Sequence, residues 1–124
     1  MYKNYNCNSA GKYVGDCTVR ALSMALDKPW ETVYTSLCAK GYDMCDMPDS
    51  NAVWGAFLQD CGYNRHIIPD YYSPCYTISD FAAEHQNGTY IVGTGTHVVC
   101  VRDGDIYDTW DCSHKIPIFY FVKG

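Results

Sequence analysis

The chain reads as one α+β domain, and three observations predict it. Apolar residues recur at helical spacing through the first half of the sequence. After residue 88 the signal turns almost wholly to strands, rich in Val, Ile, Tyr and Phe. Between two alternating runs stands Asp103-Gly104, a dipeptide suited to a two-residue hairpin turn. Helices first and an antiparallel sheet last define the α+β class. At 124 residues the chain is one domain, large enough to bury a core and too small for two domains.

Residues 1–16 are polar and rich in Asn and Gly, and read as an irregular lead-in. Residues 17–62 form the helical part. Val19, Leu22, Met24 and Ala25 predict a helix over 17–26, with Asp16 placed to cap its first N–H groups. A second helix is expected from about Pro29 to Lys40, with Trp30, Val33, Tyr34 and Leu37 on its apolar face and Gly41 as its stop. A third starts near Ser50, carries Val53, Trp54, Phe57 and Leu58, and ends at Gly62.

Residues 63–124 are mainly sheet. His66–Ile68 is a short strand candidate, and 69–76 a loop with two prolines and three tyrosines. Thr77 or Ser79 caps a short helix that Asn87-Gly88 stops. Four strands follow: Thr89–Val92, His97–Arg102, Asp105–Trp110 and Lys115–Val122. The expected architecture is N-terminal helices packed on a C-terminal antiparallel sheet of about four strands.

Composition narrows the function classes. A net charge of −5 with no Lys/Arg cluster argues against a nucleic-acid surface. No apolar run approaches the roughly 20 residues that span a bilayer, so no membrane role is expected. The first residues lack the apolar core of a secretory signal, which points to a cytoplasmic protein. In that setting the eight cysteines are expected to be reduced. Their spacing shows no close Cys-x-x-Cys pair, so neither a metal nor an organic cofactor is implied.

One thiol stands apart. Cys17, in Gly15-Asp16-Cys17-Thr18-Val19-Arg20-Ala21, opens the first helix, where the helix dipole favours a thiolate. His97 opens the strand before the Asp103-Gly104 turn. That turn pairs Arg102 with Asp105, Val101 with Ile106, Val99 with Asp108 and His97 with Trp110. His97 and Asp108 then share a face as diagonal neighbours, within reach of a carboxylate–imidazole hydrogen bond. Asp111 falls on the opposite face and is the reserve orienter. Cys17, His97 and Asp108 supply nucleophile, base and orienting group for thiol catalysis. The backbone N–H of Cys17 is one candidate oxyanion donor. Asn8, ahead of Asn6, is the side-chain candidate for a second. Cys100, mid-strand and out of phase with His97, is a core residue, and Arg20 is placed to anchor the lead-in through Asp16 or a carbonyl.

These residues, with His97-Val98-Val99-Cys100-Val101 and Tyr107-Asp108, resemble the papain-like cysteine peptidases. The likeness is greatest to compact bacterial or phage forms such as bacteriocin-leader-processing peptidases. Asp16-Cys17 and Tyr107-Asp108 also resemble features of deSUMOylating-type peptidases. The resemblance implies a papain-like fold with Cys17 on the central helix, His97 and Asp108 from the sheet, and a peptide or protein substrate in a two-lobed cleft. The chain departs from the family pattern at Gly11, about where a Gln precedes the nucleophile, and at Thr18, where Gly often follows it. The expected activity is therefore a cysteine peptidase or isopeptidase acting through an acyl-enzyme. Two other readings stay open: acyl transfer or deamidation on the same scaffold, and a non-catalytic protein-binding module. The second of these draws on the tyrosine-rich stretch Tyr71-Tyr72-Ser73-Pro74-Cys75-Tyr76. Oligomeric state is left open.

Overall fold

A computed structural model describes residues 1–69 and 75–124. The elements, in chain order, are β1 (Tyr2–Asn4), α1 (Cys17–Leu26), α2 (Trp30–Met44), α3 (Asn51–Asp60), β2 (Tyr63–Ile67), α4 (Ile78–Glu84), β3 (Thr89–Gly93), β4 (Val98–Arg102), β5 (Asp105–Asp108) and β6 (Phe119–Lys123). The class is α+β, as the pattern of helices then strands predicts. The sheet is larger than the expected four antiparallel strands. It has six, in the order β1-β5-β4-β3-β6-β2, and is mixed, because β1 pairs parallel with β5. The lead-in is therefore not wholly irregular: Tyr2, Lys3 and Asn4 align with Ile106, Tyr107 and Asp108 and extend the sheet at its β5 edge. Most of the tyrosine-rich stretch lies outside the described residues.

The predicted hairpin register is observed next to the turn, with Arg102 opposite Asp105, Val101 opposite Ile106 and Cys100 opposite Tyr107; the ladder ends there, and the expected pairs Val99–Asp108 and His97–Trp110 are not part of it. Asp103 (φ +51°) and Gly104 (φ +81°) both adopt the left-handed region that such a two-residue turn requires. β4 is apolar at every position but its last, because both faces of the sheet are covered. Val98 and Cys100 join Ile91, Phe119 and Phe121 in a core shared with α1, α2 and α3. Val99 and Val101 point the other way, into a second core with Ile78, Phe81, Ile106 and Cys112. Cys100 is fully buried, as expected of a core thiol. Trp54 is fully buried against the Phe119 and Phe121 rings. Of the other two tryptophans, Trp30 is half-buried and Trp110 exposed, and each lies at the candidate site.

Two local expectations are corrected. Gly41 does not end the second helix, which runs on to Met44 and is capped by Cys45 in the left-handed region. Gly41 is small for another reason: a Cβ there would lie 2.7 Å from the carbonyl oxygen of Asp46, where the chain folds back. Asp16 makes no side-chain cap on α1. Its carboxylate bonds Arg20 and the Trp30 indole instead. Caps are found where expected on α3, where Ser50 accepts from the Val53 N–H at 3.2 Å, and on α4, where Thr77 and Asp80 cap each other reciprocally.

Candidate active site

α1 packs along β4 and against β3 and β5, and this brings its N-terminus to the end of the sheet where β4 starts and β5 finishes. Cys17 is the first residue of α1. The first N–H groups of a helix have no partner within the helix, so the Cys17 amide stays free to donate at the point where the thiol emerges. His97 sits one residue before β4, in a tight connection from β3. Its backbone N–H donates to Thr94 Oγ1 at 3.1 Å, its carbonyl accepts from the Thr94 N–H at 2.9 Å, and Gly95 turns the chain at φ +97°. Asp108 closes β5.

The structure brings these three residues together. His97 Nε2 lies 2.6 Å from Asp108 Oδ2. A carboxylate only accepts, so Nε2 carries the proton and Nδ1 is the nitrogen left for the thiol. The Cys17 thiol is hydrogen-bonded by the His97 side chain and by the Val98 backbone. Burial pushes this thiol up, but the two hydrogen bonds, the His97 charge and the Arg20 charge outweigh it and leave Cys17 below the ordinary thiol value. Burial works against a charged His97 too. Hydrogen bonds with Asp108, Cys112 and Cys17, together with the Asp108 charge, carry it up to about 11. Burial raises Asp108, and its bonds to His97 and to the Thr109 N–H more than reverse that, holding it below the usual carboxylate range. Both shifts run toward a charged pair, the thiol lowered and the imidazole raised. The contrast is Cys100, which burial pushes up to about 12.

Behind the triad lies a buried ion network. Arg20, one turn after Cys17, bonds Asp16 through Nη1 and reaches Asp108 Oδ1 through Nη2 at 2.8 Å. Asp16 Oδ2 accepts from the Trp30 indole N–H at 2.8 Å. Arg20 does anchor the lead-in through Asp16, and it also fixes the orienting carboxylate, a partner that the sequence did not disclose. Asp108 is 1 % exposed, and all its contacts are therefore made inside the protein. On the open side Trp110 lies against His97, with ring centroids 4.8 Å apart, and shields one face of the imidazole.

Cys112 is the residue that sequence reasoning missed. It follows the hairpin in an irregular segment, where no periodicity marks a position as buried. Its thiol is buried and hydrogen-bonded with His97 and Asp108, and burial raises it above the ordinary thiol value. His97, Asp108 and Cys112 place three donor atoms within 4.8 Å of one another, a set able to ligate a soft divalent ion. The same contacts are those of an imidazole–carboxylate pair with a thiol lodged beside it.

Two candidates stand away from this cluster. Asp111 is exposed, and its Oδ1 accepts from the Ser113 N–H at 3.0 Å rather than from His97. Asn8 does not line the cleft that holds Cys17 and His97. Its Oδ1 accepts from the backbone of Ala10 and Lys12 in a turn, and it borders a neighbouring pocket instead. The cleft itself has a volume of about 550 Å³ and is walled by Gly15, Cys17 and Thr18 on one side and by Gly95, Thr96, His97 and Trp110 on the other. Asp49 and Asn51 also line it.

No family model matches the chain, and neither a curated protein nor a solved structure matches it. No helix among the described residues is long and apolar enough to cross a membrane.

Proposed function

We propose that this protein is a thiol hydrolase of papain-like architecture, a cysteine peptidase or isopeptidase acting in the reducing setting of a cytoplasm. The observation that carries the reading is the Cys17 thiol at a helix start, hydrogen-bonded to a His97 whose other nitrogen is held 2.6 Å from Asp108. In the proposed reaction the Cys17 thiolate attacks the carbonyl carbon of an amide. A C–S bond forms, and the carbonyl electron pair moves to oxygen, facing the Cys17 N–H. Collapse breaks the C–N bond, and the leaving nitrogen takes the proton from His97 Nδ1. Water then attacks the thioester, His97 takes its proton, and release of the acid restores the thiolate. Asp108 keeps Nε2 protonated throughout, so that Nδ1 alone exchanges protons with substrate.

The test is digestion of a library of end-blocked peptides followed by mass analysis, with iodoacetamide labelling at pH 6 in parallel. Cleavage should fall at least about a thousandfold in Cys17→Ala. Cys17 should be alkylated ahead of the exposed Cys45, and His97→Ala should abolish that lead. Cleavage that survives Cys17→Ala, or equal labelling of Cys17 and Cys45, would overturn the reading. A product carrying an added amine in place of water would assign acyl transfer instead.

A further inference from the structure

A second pocket adjoins the thiol cleft and shares its wall. Its volume is about 480 Å³, within the roughly 300–1,000 Å³ typical of small-molecule sites. It lies between the residues that lead into Cys17, the Trp30, Tyr34 and Leu37 side of α2 and the turn before α3. Its lining is mostly apolar, from Val14, Trp30, Tyr34, Leu37 and Met47. Three of these are among the exposed large hydrophobic side chains of the protein: Val14 at 50 %, Tyr34 at 47 % and Met47 at 66 %. Their clustering around one hollow beside a reactive thiol marks a site rather than scattered surface residues.

Both cavities are bordered by Val14, Gly15, Thr18 and Asp49, and Gly15 stands two residues before the nucleophile. A Cβ built on Gly15 meets no atom within 4 Å, so the space at this junction is open. When a substrate carbonyl sits on the Cys17 sulfur, the side chain of the residue supplying that carbonyl is attached to the adjacent carbon. It must therefore leave the cleft close to the thiol, and the gap at Gly15 leads from there into the apolar hollow.

Resting on the reading of Cys17 as nucleophile, we infer that this hollow is the specificity pocket for the acyl-donating residue, and that it selects a large apolar or aromatic side chain. Gly15 is its threshold. The occupant is a substrate side chain because the hollow opens beside the reacting atom and the exposed apolar groups converge on it.

The experiment uses end-blocked peptides identical except for Phe, Leu, Gly or Asp at the residue before the cleavable bond. For the wild-type protein kcat/KM for Phe or Leu should exceed that for Gly by about tenfold to a hundredfold, the range one well-filled apolar pocket gives. Gly15→Leu fills the threshold and should bring the Phe-to-Gly ratio close to one. Met47→Glu, at an exposed position that cannot disturb the core, should lower the same ratio at least about threefold by placing a charge at the mouth. Equal kcat/KM for all four peptides, or a ratio unmoved by both variants, overturns the inference while leaving the thiol reaction standing. The binding arm separates the two claims. Tighter binding of the Phe peptide than the Gly peptide to Cys17→Ala protein, with no cleavage by wild type, supports the pocket and rejects the reaction.

Discussion

Replacing Arg20 with methionine removes the cation that two buried carboxylates share. Arg20 is 4 % exposed, Asp16 7 % and Asp108 1 %. Methionine keeps most of the aliphatic stem, so the change falls mainly on the charge. Removing one partner of a buried ion pair costs about 3–5 kcal/mol, because the other charge stays behind uncompensated. Two carboxylates lose a partner here, yet neither is left bare. Asp16 keeps the Trp30 N–H at 2.8 Å, and Asp108 keeps the Thr109 N–H at 2.7 Å together with His97. The expected loss is therefore that of one pair, about 3–5 kcal/mol. With a urea dependence of about 1–3 kcal/mol per molar, the unfolding midpoint should fall by roughly 1–3 M with its slope unchanged. Activity should fall by about a hundredfold, since Asp108 loses the contact that sets its position and small misplacements of reacting groups carry costs of that size. Alkylation of Cys17 should slow as well, because the Arg20 charge helps hold that thiol down. Adding Asp16→Asn to Arg20→Met should recover part of the stability and little of the activity, since it relieves only the carboxylate remote from His97. A midpoint within about 0.2 M of wild type, or full activity in Arg20→Met, would refute the assignment of Arg20 as the residue that positions Asp108.

Two further outcomes are expected. Gly93→Ala should destabilise the fold by about 1–3 kcal/mol in urea titration, because a Cβ there would stand 2.3 Å from the Phe119 ring, which is itself stacked on Trp54; an unchanged midpoint would mean that Phe119 moves aside freely. Stability should also fall on the alkaline side. His97 is raised to about 11 by its contacts with Asp108, Cys112 and Cys17, so its contribution is complete below the unfolded value near 6.5 and is lost as pH rises through about 11. Cys17 is shifted the other way and gains stability up to the ordinary thiol value near 9, offsetting the His97 loss until then. The His97 share of the decline should therefore appear between about pH 9 and 11, at up to about 1.4 kcal/mol per pH unit on top of the loss from the raised thiols Cys100 and Cys112, and a His97→Gln variant measured alongside should lack that share.

The parts of the fold that were legible in the sequence are those set by local rules. The Asp103-Gly104 turn has one economical geometry, and once it is adopted, pairing along β4 and β5 follows residue by residue. That is why the His97–Asp108 contact could be reasoned from spacing alone. β1 could not, because Tyr2-Lys3-Asn4 is too short for alternation to register and its partner β5 lies a hundred residues away. Gly41 and Asp16 show a different limit. Glycine serves both as a helix stop and as a point of close approach, and aspartate both as a cap and as a buried ion partner. The sequence favours the local use in each case, while the tertiary structure imposes the distant one. Cys112 was hidden for a related reason: its neighbours Asp111 and Ser113 are polar and irregular, so nothing nearby marks it as lying beneath His97.

The buried charges of the site alternate in sign from one contact to the next: Asp16, Arg20, Asp108, His97, Cys17. This order answers the chief physical objection to a thiolate–imidazolium pair in a half-buried position, namely the desolvation of both ions. Each charge within the chain has an opposite neighbour on both sides. The terminal carboxylate, Asp16, is met by an indole N–H, and the terminal sulfur by the Val98 backbone at the start of β4. The chain also couples stability to reactivity. The residue that lets Asp108 be buried is the one that aims it at His97, so a substitution that relaxes the network should weaken fold and nucleophile together. A histidine buried only for packing would gain nothing from an arginine two contacts away. On the proposed reading, Arg20 on the same helix as the thiol, one turn on and bonded to Asp108, is the contact that favours a site built around a reactive sulfur over three polar residues that happen to meet.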